Sequence, residues 1–134
     1  MIVVDTNVLF STLLNHKAYY YDILADKSFQ FLIPKFAFVE LFKYKDKITR
    51  YSKHNDDEIL EMLYNIMKNI QIYDENIISS NSYKKAWDLT KDIDEKDTVF
   101  VALCLETNSS LWTGDKKLIN GLKNKGFNNF FHKM

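Results

Sequence analysis

Ile2-Val3-Val4-Asp5-Thr6-Asn7-Val8-Leu9 changes its hydrophobic period halfway, and that change decides the fold. Three β-branched residues read as a short strand, and Asp5-Thr6-Asn7 then offers cap residues for a helix through Val8, Leu9, Leu13 and Leu14. The same junction recurs near the other end, where Ser110 to Thr113 reads as a strand, Gly114-Asp115 as a turn and Lys116 to Lys123 as a helix. Between the two lie a helix from Tyr19 to Ala25, a strand from Phe29 to Ile33, and a helix that Pro34 opens and that runs to about Tyr51. Asn55 caps a further helix, with Asp56, Asp57 and Glu58 in its first turn and Ile59, Met62, Leu63, Ile66 and Met67 at helical spacing. Ile70 to Tyr73 reads as a strand, Ser82 to Leu89 as a helix, and Asp94 begins a helix carrying the apolar run Val99 to Leu105. A last strand is expected over Asn128 to Phe131. Strands separated by helices predict an α/β fold of three layers, α/β/α, whose central sheet is mostly parallel. With 134 residues and no repeat or linker, the expected organisation is a single domain, 1–134.

Scarce residues exclude several chemistries. Gly114, Gly121 and Gly126 cannot supply a G-x-G-x-x-G turn, and Phe127 stands where a phosphate-binding P-loop needs lysine. Cys104 is the one cysteine, so neither an internal disulfide nor a multi-thiolate zinc site is available, and its setting in Val99-Phe100-Val101-Ala102-Leu103-Cys104-Leu105 suits a buried, inert thiol. The start of the chain has no basic leader and no apolar stretch approaches the roughly 18 residues that span a bilayer, so a cytoplasmic protein without membrane attachment is expected. Eighteen basic and eighteen acidic residues give a formal net charge of 0, which removes any overall basic field for nucleic acid and leaves only local patterning.

Four acids stand apart from the solvated majority. Asp5 and Asp115 each leave a strand, and in an open α/β sheet the carboxyl ends of parallel strands form the ligand-binding edge. Each could equally be only the cap of the next helix. Glu40 interrupts Phe36-Ala37-Phe38-Val39-Glu40-Leu41-Phe42 on a mixed face with Lys43, Tyr44 and Lys47; it either pairs with those lysines or projects towards Asp5 and Asp115. Asp97 shares a stripe with Phe100, Val101, Cys104 and Leu105, and a carboxylate there is costly unless paired, capped or metal-bound. One bland alternative is a capping box, with Asp94 as N-cap and Asp97 reaching back. Converging carboxylates would repel, and a hard divalent cation with oxygen ligands, Mg²⁺ or Mn²⁺, removes the conflict and suits phosphoryl chemistry.

These residues resemble the PIN domain, a family of metal-dependent nucleases that includes VapC-like toxins. The resemblance spans nearly the whole chain through Asp5-Thr6-Asn7-Val8-Leu9, Phe38-Val39-Glu40-Leu41, Asp97-Thr98-Val99-Phe100-Val101-Ala102-Leu103 and Leu111-Trp112-Thr113-Gly114-Asp115-Lys116. It implies a parallel sheet with flanking helices and an acidic pocket in which Asp5, Glu40, Asp97 and Asp115 hold the metal and carry catalysis. It also implies that Thr6, Asn7 and Thr113 orient these acids. Asp94 is an additional acid one turn before Asp97 and leaves the ligand count open, and Gly114 departs from the larger residue frequent at that position.

The implied activity is a metal-dependent endoribonuclease, the toxin of a toxin–antitoxin pair, with RNA as substrate and an antitoxin or other regulatory protein as partner. A homodimer is a further expectation. The alternative is a catalytically weak PIN-like module that binds RNA or protein; a phosphatase or receiver-like site fits less well, because Asp5-Thr6-Asn7 lacks the second aspartate of a D-x-D motif. Lys43, Lys45, Lys47 and Arg50 follow Glu40, while Lys116 and Lys117 open a stretch with no acid that also contains Lys123, Lys125 and Lys133. These cations either neutralise phosphates beside the acids or form ordinary solvated faces. Tyr19-Tyr20-Tyr21 could stack on unpaired bases or serve as core and dimer surface. His16, His54 and His132 have no metal spacing and receive no role.

Overall fold

Ile2–Val4 forms β1 and is buried at every position, as a strand covered on both faces must be. In this computed structural model, which describes residues 1–14 and 17–132, β1 lies inside a four-stranded sheet of order β3-β2-β1-β4. The partners are β2 (Phe31–Pro34), β3 (Ile70–Tyr73) and β4 (Ser110–Trp112), and every pairing among the described residues is parallel. His16 and Lys133 lie outside the described residues.

The connections follow from handedness. From β1 the chain passes through α1 (Thr6–Leu13) and α2 (Ala18–Leu24) to β2, then through α3 (Lys35–Lys43), α4 (Lys45–Tyr51) and α5 (Asp56–Met67) to β3. Right-handed crossovers that keep moving in one direction place all five helices on one face. From β3 the chain returns through α6 (Ser80–Thr90) and α7 (Thr98–Thr107) to β4 on the far side of β1, so these two helices cover the opposite face. The contacts agree: α1 packs on α2, α3 and α5, whereas α7 packs on β1, β2, β4 and α6, and α8 (Lys116–Asn124) joins α6. The expected α/β/α layering is therefore present.

Burial explains the helices that lack a clean amphipathic pattern. Phe100 to Cys104 are all buried on α7, because that helix is held between the sheet and α6. Val3, Val4, Leu32, Ile33, Leu103 and Leu111 make up the centre, each worth about 1.5–3 kcal/mol when fully buried. By contrast, α5 starts with a complete capping box: Glu58 N–H donates to Asn55 Oδ1 at 2.9 Å, and Asn55 N–H donates to Glu58 Oε1 at 3.1 Å. Asn55→Ala should lower stability by about 1 kcal/mol, read as a lower urea midpoint at unchanged slope.

Several boundaries differ from the sequence reading: the strand expected from Phe29 starts at Phe31 and runs through Pro34, and the helix expected from Asp94 starts at Thr98 after a 3-10 turn. The helix expected from Pro34 to about Tyr51 breaks at Tyr44, whose φ −103° and ψ 20° leave the helical region. That break sets the Tyr44 ring edge-on to Phe10 of α1, with centroids 6.0 Å apart. The strand expected over Asn128 to Phe131 shrinks to a single parallel bridge, Leu111 with Phe130. It is nevertheless held by two ladder bonds, Leu111 N–H to the Asn129 carbonyl and Phe131 N–H to the Leu111 carbonyl, both 2.9 Å.

Strand order fixes where a site can form. β1 leads to β2 on one side, while β4 arrives on the other, so the order reverses between β1 and β4. Ligands of open α/β sheets bind at such a reversal, outside the carboxyl ends of the strands.

Candidate functional site

Val4 pairs with Trp112, and Asp5 N–H donates to the Trp112 carbonyl at 3.0 Å, so β1 and β4 end in step. The next residues, Asp5 and Thr113, consequently meet. Asp5 is buried, and its two carboxylate oxygens have separate tasks: Oδ1 accepts from Asn7 N–H at 3.2 Å as the cap of α1, and Oδ2 accepts from the Thr113 hydroxyl at 2.8 Å. Thr113 is buried too, and its oxygen also accepts from Asp115 N–H at 3.1 Å. Asp115, exposed, caps α8 through Leu118 N–H, 3.2 Å from Oδ1. Capping and convergence on one edge therefore occur together in both aspartates.

Asp97 approaches from the other layer. It ends a 3-10 turn, Glu95–Asp97, that Asp94 caps by accepting from Lys96 N–H at 3.0 Å. Asp97 itself makes no capping bond at the start of α7, and Asp94 N–H donates to the Thr90 carbonyl at 3.0 Å, so the capping-box alternative does not account for Asp97. Burial, and then the charges of Asp5, Asp94 and Asp115, push its carboxyl up to about 7. Burial also raises Asp5 above the ordinary carboxylate value; the bonds from Thr113 and Asn7 oppose that rise, and the Asp115 charge adds to it. Mutual repulsion thus links Asp5, Asp94, Asp97 and Asp115 in one neighbourhood.

Glu40 is not among the charges acting on Asp97 or Asp5. It is half-buried on α3, between buried Ala37 and Leu41 and exposed Lys43 and Tyr44. Thr6 carries a different signal, a buried hydroxyl without a hydrogen-bond partner among the described residues. Asn7 presents its backbone to Asp5 and lines two clefts. One is shared with Lys47 and Tyr44, and the other with Lys17, Tyr20, Gly114 and Asp115. Lys17 was not singled out by spacing, because a lone lysine before a tyrosine run gives no signal until the fold brings it to Asp115.

The remaining cations named from the sequence, Lys43, Lys45, Arg50, Lys116 and Lys117, are exposed. Among the described residues the ion pairs are His54 with Glu58, Lys91 with Asp88 and Lys125 with Asp92, and none uses these side chains or Lys47.

The acids fit a hard cation by chemistry: every donor is oxygen, and after burial the charges of Asp5, Asp94 and Asp115 add to the rise at Asp97, a repulsion that a cation would relieve. Among the described residues no three His, Cys, Asp or Glu side chains are grouped closely enough to hold an ion directly. A hard cation held there would keep several of its waters and take one or two of the carboxylates.

The PIN domain family model matches residues 3–132. A chain in the crystal structure of VapBC2 from Rickettsia felis bound to a DNA fragment from their promoter shares the fold with TM-score 0.64. That likeness covers 97% of this chain and 96% of the other at 21% sequence identity. Comparison with curated proteins gives no match. With the parallel sheet, the reversal between β1 and β4 and a match from residue 3 to residue 132, the chain belongs to the PIN domain family.

Proposed function

We propose that the chain is a Mg²⁺- or Mn²⁺-dependent endoribonuclease and the toxin of a toxin–antitoxin pair. The observation that carries this is the group Asp5, Asp94, Asp97 and Asp115 at the reversal of strand order, with Asp97 raised to about 7. Asp5 and Asp97 are the principal metal ligands in this reading, Asp115 and Glu40 complete the site, and Asp94 adds charge beside Asp97. Thr113 and Asn7 fix the orientation of Asp5 through their hydrogen bonds, and Thr6, next to Asp5 and with a buried hydroxyl that has no partner among the described residues, would help to orient the acids.

The bound ion supplies Lewis acidity and lowers the pKa of a water for attack on the phosphodiester. The protein positions the reacting phosphate through Lys47 and Lys17 at the two clefts beside Asn7, with Lys116 and Lys117 outside them. Lys43, Lys45 and Arg50 extend this basic side along α3 and α4, so RNA binding survives a net charge of 0.

A partner is part of the reading. Phe38, Phe42, Leu60 and Tyr64 are exposed, and Phe38, Phe42 and Leu60 line an apolar groove of about 410 Å³ between α3, α4 and α5. Such a surface is what an antitoxin or a second copy of the chain covers. The solved structure of VapBC2 from Rickettsia felis supports an antitoxin partner. No described helix is long and apolar enough to cross a membrane, and the activity proposed here is placed in the cytoplasm.

Cleavage of an RNA panel with Mn²⁺ tests the reading against the alternative of a binding module. Wild type should cut and both Asp5→Asn and Asp97→Asn should not. Equal cutting by all three would exclude these acids as the catalytic centre, and binding without cutting by wild type would exclude the nuclease.

A further inference from the structure

We propose that the aromatic cleft beside Thr113 is a nucleobase subsite, which takes one unpaired base of the RNA while the adjoining phosphate lies at the acidic edge. The inference rests on the ribonuclease reading and adds the group that recognises the substrate.

The cleft has a volume of about 390 Å³ and is lined by Tyr19, Tyr20, Trp112, Phe130, Phe131 and His132. That size falls in the range of small-ligand sites, about 300–1,000 Å³. Thr113 lines it as well, and the same residue donates to Asp5 Oδ2 at 2.8 Å. One side chain therefore separates the aromatic cleft from the carboxylates.

Ring geometry singles out Tyr19. Tyr19 meets Tyr20 at 77° with centroids 4.9 Å apart, and Tyr20 meets Trp112 at 80° and 5.2 Å. Lys17 lies over the Tyr20 ring and Phe31 and Phe131 pack against Trp112, so the ring surface left for a base is that of Tyr19, and base–aromatic stacking uses such a surface whatever the base. Tyr20 and Trp112 are buried and belong to the core, whereas Tyr19 is 54% exposed. Tyr19 is thus the ring free to close on an incoming base without loss of core packing.

Charge complementarity favours a nucleotide over an apolar peptide. Lys17 lies over the Tyr20 ring, its ammonium 5.5 Å from the centroid, and shares the adjoining cleft with Gly114 and Asp115. A base against Tyr19 would accordingly have its phosphate between that ammonium and the acids, with exposed Lys116 and Lys117 next along the chain.

Trp112 reports occupancy directly. The chain has two tryptophans, and the other, Trp87, is on α6, so Trp87→Phe leaves Trp112 alone. In a chelator, titration of this protein with oligouridylate and oligoadenylate should quench Trp112 saturably, and an abasic oligonucleotide of equal length should not. Tyr19→Ala should weaken binding about tenfold, and Tyr19→Phe should restore it. With Mn²⁺, Tyr19→Ala should raise KM more than it lowers kcat. Quenching without cleavage by wild type would leave the subsite standing and remove the nuclease reading. Cleavage with no quenching, or with unchanged KM in Tyr19→Ala, would do the reverse. If Tyr19→Ala dissociates a dimer in sedimentation while oligonucleotide affinity is unchanged, the cleft is a protein interface and the subsite is wrong.

Discussion

Asp97→Asn should reduce RNA cleavage by about three decades and yet make the metal-free protein more stable at pH 8. The first effect follows if Asp97 helps to hold the ion, because several kcal/mol of transition-state stabilisation go with it and about 1.4 kcal/mol is tenfold in rate. The second follows from linkage. Folding raises the Asp97 carboxyl from 3.8 to about 7, so the folded chain holds a proton that the unfolded chain has released between those values. The stabilisation is full below about pH 4, falls as pH rises through about 7, and is gone above it. Asn has the shape of the protonated acid and no charge to lose. Parent and variant should therefore be nearly equal only below about pH 4, and the variant's lead should grow from pH 5 to pH 7 and level off by pH 8. Asp5 is shifted in the same direction and keeps a residual slope in the variant. Urea midpoints at pH 5, 6, 7 and 8 in a chelator check this; a variant less stable than the parent at pH 8 would remove the repulsion argued for the acidic group.

How much of this was legible before the fold was known depends on whether a property is local. Asp5 and Asp115 could be placed on one edge because β-to-α junctions and strand ends are written in short sequence, and the structure joins them through Thr113. Asp97 could be flagged because a carboxylate on an apolar stripe is costly wherever the helix goes, and burial is the largest cause of its raised pKa. Glu40 was ambiguous for the opposite reason. Helical spacing fixes its neighbours on α3, but its reach across the rim depends on how α3 crosses α1, which periodicity does not encode.

The tyrosine run shows the same limit within three residues. Tyr20 is core, Tyr21 is half-buried with its oxygen accepting from Asn65 Nδ2 at 2.9 Å, and Tyr19 faces outward. The core alternative holds for Tyr20 alone, because a helix distributes adjacent residues over different faces. The net charge of 0 also proved uninformative by itself. Exposed lysines and the acidic edge cancel in the sum while remaining separate in space.

Mn²⁺ at about a hundred times its dissociation constant should add about 2.7 kcal/mol of stability, because only the folded chain assembles the acids. For 134 residues that corresponds to a Tm rise of about 10 °C, well above the scatter of a melting experiment. Protons compete with the ion at Asp97, so the rise should be larger at pH 8 than at pH 6. Asp5→Asn should lose most of it: Asp5 is the acid whose orientation is already fixed, by Thr113 and Asn7, and its replacement leaves the ion with the less constrained carboxylates. Glu40→Gln separates two assignments. Loss of the shift would make Glu40 a ligand, and retention would return it to the lysine-bearing face of α3. An equal Tm rise in wild type, Asp5→Asn and Asp97→Asn would place the ion elsewhere on the protein. In that case the group at the reversal of strand order would be an electrostatic cost without the cation that offsets it.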